Sequence, residues 1–378
     1  MILYIAVTAA VILLSYFVCE KQPLTTYGTT RRQALSRACL IAVFMILFLL
    51  SALRMEVGND YKNYAITCHE IWVNGYVVTE IGFNLLVKLI YTLVGCENYI
   101  FVFAVFAFVT IWIFLKSFYR DSAHFCWSMV LFMMLGLYFR TFNTVRYYFV
   151  LAVALYSLHY VIHKQYLKFI IIICVSALFH KSVLFVIPLY LVAAYVSKKW
   201  HYLLLSVLGA ACMAGKNLIM KIALILYPSY ENTSYLNENG GLISNLVSNA
   251  SAIGRCVLVL ILCLVFYKTA IENNRANRIY FNLNNFALLL YVCGYYIPLL
   301  SRFTYYMTIP HLLLVPGVIA SVKEPKKRKM VIGITIIACV LYFLLFLRTG
   351  ADAGVRVLPY KTWIMEGLQE YLYANEVL

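Results

Sequence analysis

Apolar stretches close to the length of a bilayer span, ~20 residues, recur along the whole of this sequence. No other feature constrains the fold as tightly. In lipid, every backbone N–H and C=O must be satisfied inside the protein, which leaves helices or a closed barrel. Continuous apolar runs, rather than ten-residue alternation, select helices. Only 12% of the 378 residues are charged and 64% are hydrophobic, whereas soluble domains carry about 25% charged residues. The chain reads as an all-α polytopic integral membrane protein.

Candidate spans cover 2–19, 38–53, 99–117, 124–139, 144–162, 167–180, 183–197, 201–215, 252–267, 281–300, 304–320 and 330–347. Segment 81–95 (IGFNLLVKLIYTLVG) is short, at fifteen residues, and carries Lys88 in its middle. If it does not span, the loops at 20–37, 116–123, 163–168, 198–200, 268–280 and 321–329 share one side. They hold 18 basic and four acidic residues, against 13 and 11 on the other side. If it does span, the first loop's basic residues lie opposite KEPKKRK (323–329). The positive-inside rule favours the first arrangement. The expectation is a single transmembrane domain over 1–378, with about twelve spanning helices and both termini outside. A short interfacial or re-entrant helix near 81–95 completes it. Exterior segments cover 54–98, 216–251 and the tail 348–378.

The net charge of +16 follows from cytoplasmic loops and calls for no nucleic-acid partner. No basic n-region precedes the first apolar run, which reads as a retained span. Nine of the eleven cysteines fall in or beside apolar runs, and no CxxC or Cys/His cluster is present. Packing is their default role, and no metal or cofactor is expected. Cys68 and Cys96 both fall on the expected exterior, where a disulfide is compatible with the compartment. There is no Walker A, dinucleotide loop, HExxH or GxSxG. Acidic residues are essentially missing from the spans, which argues against a proton- or sodium-coupled transporter.

Polar residues concentrate on the exterior face. Arg54, Glu56, Asp60 and Tyr61 follow the second span, and Glu80 opens the short helix. TFNTVRYY (141–148) contributes Asn143, Arg146 and Tyr147, and FHKS (179–182) contributes His180. Arg302 and Tyr305 begin the eleventh span, and the tail adds Lys361. Arg140, Asn143 and Arg146 are spaced i, i+3, i+6, so Asn143 and Arg146 share a face if the helix already starts there. Arg146 lies a turn inside an apolar run. An arginine there costs ~2.5 kcal/mol or more, so it faces a polar cavity or an anion, pairs with an acid, or snorkels. Its planar fork suits two phosphate oxygens at once. His180 is a general-base candidate or a cap. Asp60 is the other base candidate, or the ion-pair partner of Arg54, which would lower its basicity. His159 and His311 read as packing or polar-cavity residues.

Four segments, RMEVGNDYKNY (54–64) with EIGF (80–83), FNTVRYYFVLAVAL (142–155), FHKS (179–182) and LPYK (358–361), together resemble EpsG-like proteins. These lie within the Wzy-type bacterial polysaccharide polymerases. Where the family more often has glutamine after the Asn-x-x-Arg core, Tyr147 stands here. The resemblance implies a protein of the bacterial cytoplasmic membrane working at its exterior face, similar to the lipid-dependent membrane glycosyltransferases. It implies transfer of a growing glycan from undecaprenyl diphosphate onto a lipid-linked repeat unit. His180, Asp60 and Arg146 would be catalytic. Arg54, Asn143, Tyr147, Glu80, Arg302, Tyr305 and Lys361 would bind substrate. Membrane lipid, a chain-length regulator and a flippase are the expected partners. A flippase or transporter of lipid-linked oligosaccharide, or an O-acyltransferase of exported glycan, are the alternatives.

Overall fold

The computed structural model describes residues 1–18, 30–196, 200–202, scattered positions between 204 and 221, 241–293, 300–352 and 355–364. The expected span 201–215 and the exterior segment 216–251 lie largely outside these residues, as does the tail beyond 364. The regular elements of the described residues are all helices, apart from one isolated bridge between Arg54 and Thr362. Among the described residues, five helices are long and apolar enough to cross a membrane: Arg31–Ala52, Tyr99–Asp121, Val145–Ile162, Phe303–Ser321 and Pro325–Thr349. Six shorter apolar helices accompany them. The chain divides into two compact units.

The first unit comprises Met1–Tyr156, Ile171–Leu184 and Lys329–Leu378. Helix α1 (Ile2–Tyr16) leads to α2 (Arg31–Ala52), which a capping box starts: Gln33 N donates to Thr30 Oγ1, and Thr30 N to the Gln33 side chain. The segment after α2 folds into a helical hairpin, α3 (Tyr61–Trp72) and α4 (Ile81–Val94). Helix α4 is the short helix expected near 81–95. Its apolar face buries Phe83, Val87, Ile90 and Tyr91, while Lys88 turns outward to Asn74 Oδ1 at 2.6 Å. Helix α5 (Tyr99–Asp121) packs along α2, and its Val102, Phe103 and Phe106 close an aromatic core over α3 and α4.

The stretch expected as one span over 124–139 is broken. Gly136, with φ of +67°, separates α6 (Phe125–Met134) from the single turn α7 (Leu137–Arg140). Residues 141–144 then turn the chain into α8 (Val145–Ile162). Helix α9 (Tyr166–Ala177) and a 3-10 turn (Lys181–Phe185) follow. Cys68 is buried in the aromatic core, Cys96 is exposed, and both are free thiols.

The second unit comprises Ser157–Ile170 and Phe185–Arg328. Helix α10 (Val186–Tyr195) packs beside the helix Arg275–Cys293, whose buried asparagines satisfy stray carbonyls. Asn282 Nδ2 donates to the carbonyls of Ala193 and Val196, each at 2.8 Å. Asn284 pairs with His311 Nε2 at 2.8 Å. His311 is thus a hydrogen-bonded packing residue, and the ring of His159 lies 4.2 Å from that of His163.

Candidate functional site

The sequence segments singled out above are far apart in the chain, yet in the first unit they meet through their backbones. The loop after α2 is pinned from two directions. Gly58 N donates to Arg356 O at 2.8 Å and Met55 N to Lys361 O at 2.9 Å, so the tail segment 355–362 lies along it. Tyr360 adds a hydroxyl bond to Leu50 O at 2.8 Å, and Tyr4 of α1 holds Val357 O at 2.5 Å. On the other side, Asn59 N donates to Asn143 Oδ1 at 3.2 Å. Gly58 has φ of +106°, and a Cβ there would lie 2.3 Å from Phe142 O, so both conformation and space demand glycine.

A second junction joins α4 to the turn after α9. Gly82 N donates to Leu178 O at 2.9 Å, and a Cβ at Gly82 would lie 2.8 Å from that oxygen. Glu80, the N-cap residue of α4, then reaches the same turn. Its Oε1 accepts from Lys181 N at 3.1 Å, and its Oε2 pairs with Arg146 Nη1. Glu80 and Arg146 are 15% and 16% exposed, so the ion pair is largely withdrawn from water. The Arg146 guanidinium lies over the rings of Phe83 and Tyr64, 5.1 and 5.7 Å from their centroids, a cation–π arrangement. Its Nε is buried without a hydrogen-bond partner.

Arg54 points inward. It is 2% exposed and binds Ser51 O and Ser51 Oγ at the end of α2, where a cation suits the helix C-terminus. Its guanidinium lies 4.9 Å from the Phe103 ring centroid and 5.3 Å from that of Phe142. Burial pushes its pKa down to about 10, while the oxygens of Tyr61, Tyr138, Tyr360 and Tyr4 pull it back up, so it stays charged at neutral pH. Arg54 is thus held by Ser51 and not in the ion pair with Asp60, one of the two readings of that aspartate. Glu56 instead pairs with Lys62, in the first turn of α3, at 2.9 Å. Asp60 is half-buried at the N-terminus of α3. A small cavity of about 10 Å³ beside Arg54 is lined by Ser51, Phe103, Thr110, Thr141, Val145 and Tyr148, among others.

His180 is half-buried, with its ring 5.7 Å from that of Tyr147. Its Nδ1 accepts from Ser182 N at 3.3 Å and lies 2.9 Å from Ser182 Oγ. An Nδ1 that accepts a backbone N–H assigns the neutral ring's proton to Nε2, so His180 presents a donor. Asn143 does not share a helix face with Arg146, because α8 begins at Val145 and the Asn143 side chain is committed to Asn59. Lys361 is exposed; its carbonyl accepts from Met55 N, and its ammonium charge helps lower the pKa of Glu56. Arg302 and Tyr305 belong to the second unit, and the Arg302 side chain lies outside the described residues.

Arg54, Arg146 and Glu80 thus gather around one aromatic cluster. Phe103 carries Arg54 and lies 6.2 Å from Tyr64, over which Arg146 sits. The residues that sequence reasoning missed are Ser51, Tyr64, Phe83 and Ser182, which hold the charged groups in place. Apart from the alternation of charge with aromatics in 54–64 and 80–83, no sequence signal marks them.

The EpsG family model matches residues 37–362. The chain belongs to the EpsG family. No curated protein and no solved structure matches it. All four of the EpsG-like segments fall inside the matched range, and all four take part in the two junctions. Membership, with the long apolar helices, makes this a membrane protein related to polysaccharide biosynthesis.

Proposed function

We propose that this EpsG-family protein is a polysaccharide polymerase, a metal-independent glycosyltransferase. It moves a growing glycan from undecaprenyl diphosphate onto a lipid-linked repeat unit. The site faces the exterior of a bacterial cytoplasmic membrane, with about twelve spans and a chain-length regulator and flippase as partners. The observation that carries the reading is the gathering of Arg146, Arg54, Glu80 and His180 by the four family segments.

The chemistry asks for these groups. As the glycosidic bond to diphosphate breaks, negative charge builds on the bridging oxygen. A guanidinium held by rings and an ion pair in a partly desolvated site stabilises that charge without reorganising. Arg146 is assigned this role, with Arg54 behind it. His180 offers Nε2–H to a phosphate or sugar oxygen. The proton of the attacking hydroxyl goes to a base, for which Asp60 is the candidate left by the His180 tautomer. Asn143, Tyr147 and Lys361 are assigned to binding the substrate around this centre, and Arg302 and Tyr305 keep the substrate-binding role that the family resemblance implies.

The test is the size of surface glycan in a deletion strain complemented with Arg146→Ala. A polymerase defect leaves single lipid-linked units outside the membrane. Units trapped inside would indicate a flippase, and chains of normal length with altered decoration would indicate an acyltransferase. Either result overturns the reading.

A further inference from the structure

The guanidiniums of Arg146 and Arg54 flank the first turn of α8, and Arg146 is paired with the Glu80 carboxylate. Arg146 is the second residue of that eighteen-residue helix, and the first turn contains no acid. The helix dipole favours negative charge there. On the other side of the same turn, Val145 and Tyr148 line the cavity beside Arg54, whose buried Nε has no hydrogen-bond partner. Arg146 Nε is unpartnered as well. The place is built for an oxyanion, and Glu80 supplies part of the negative charge from within the chain.

Glu80 is also held at a second point. Its Oε1 accepts from Lys181 N, in a turn fixed to α4 by the bond from Gly82 to Leu178. The carboxylate can therefore leave the guanidinium and return without refolding either segment.

We propose that Glu80 is the chain's own competitor for Arg146: an entering prenyl diphosphate displaces it, and its return expels the lipid diphosphate after transfer. This rests on the reading that the substrate carries a lipid-linked diphosphate. The need is physical. A guanidinium strong enough to hold the leaving diphosphate would also retain it as product, in a site where charge attraction exceeds that in water. A carboxylate tethered within reach lowers affinity for every anion, and product release is often the slow step. Glu80 is then a positioning residue that faces Arg146, rather than a group that grips sugar.

The experiment measures binding of farnesyl diphosphate to the purified full chain in lipid nanodiscs. Glu80→Gln keeps the shape and the acceptor for Lys181 N but removes the competing charge. Affinity should rise about tenfold, and the gain should vanish in the Glu80→Gln, Arg146→Gln double variant. In glycan assembly the same variant should lower KM and kcat together. Unchanged or weaker binding by Glu80→Gln overturns the proposal.

A second readout uses the wild type alone. Infrared difference spectra on adding farnesyl diphosphate should show a freed carboxylate band, shifted in Glu80→Asp. No such band, or one that Glu80→Asp leaves in place, overturns the proposal too. Tighter binding without any chain lengthening would remove the polymerase reading and leave Glu80's role standing. Chain lengthening with no change in binding would do the reverse.

Discussion

Glu80 reaches Arg146 across 66 positions of chain, and the contact exists because α4 is docked on the turn that follows α9. The ion pair joins a segment after α2 to the start of α8, so the charge state of the candidate site depends on that docking. A mostly buried pair of this kind is strongly destabilising to break from one side, because the remaining charge is left uncompensated.

Arg146→Ala should abolish long-chain glycan even when the signal is normalised to the amount of protein in the membrane. Arg146→Lys should remain strongly impaired, since a point charge cannot keep one contact on Glu80 while offering a planar edge to phosphate. Glycan sizing by gel checks both. Wild-type chain lengths in Arg146→Ala would remove the residue from the chemistry.

His180→Gln should retain much more activity than His180→Ala. The glutamine amide can offer an N–H close to where Nε2–H stands, which is what the bond from Ser182 N implies for His180. If His180 is instead the base, the two variants will be equally inactive. Rates of chain extension, normalised to protein in the membrane, distinguish these outcomes.

Gly82→Val should separate α4 from the turn at Leu178 and take the Glu80–Arg146 pair with it. Gly58→Ala should strain the loop that carries Arg54, at a cost of about 1–3 kcal/mol for the backbone conformation alone, with the clash against Phe142 added. Both should lower the unfolding temperature in detergent and reduce activity. A variant with unchanged melting and activity would show that its junction does not hold the site.

Single cysteines introduced at 91–98 into a cysteine-free background should label from outside the cell, and those at 116–121 only after permeabilisation. Labelling of 116–121 from outside would reverse the topology and place the candidate site on the cytoplasmic face.

Much of this was legible in the chain itself. The period and length of the apolar runs dictated helices, because lipid leaves the backbone no other partner within a single segment. The amphipathic 81–95 segment declared itself through its length and Lys88, and the structure gives α4 with that lysine turned outward. The segments shared with the EpsG family pointed to Arg54, Glu80, Arg146 and His180. Breaks within apolar runs were less legible. Gly136 divides 124–139, and α8 starts too late to carry Asn143 on Arg146's face.

What the sequence by itself determined is the class of fold and the residue types that gather at the site. Both follow from local rules of solvation and backbone satisfaction. Only the tertiary structure decided who faces whom: Glu80 rather than a ligand-ready void beside Arg146, Ser51 rather than Asp60 beside Arg54, and Ser182 beside His180 Nδ1. Charge pairing depends on distances of a few ångströms between segments tens to hundreds of residues apart. Those distances are set by the close approach of Gly58 to Phe142 and of Gly82 to Leu178, which no local pattern encodes.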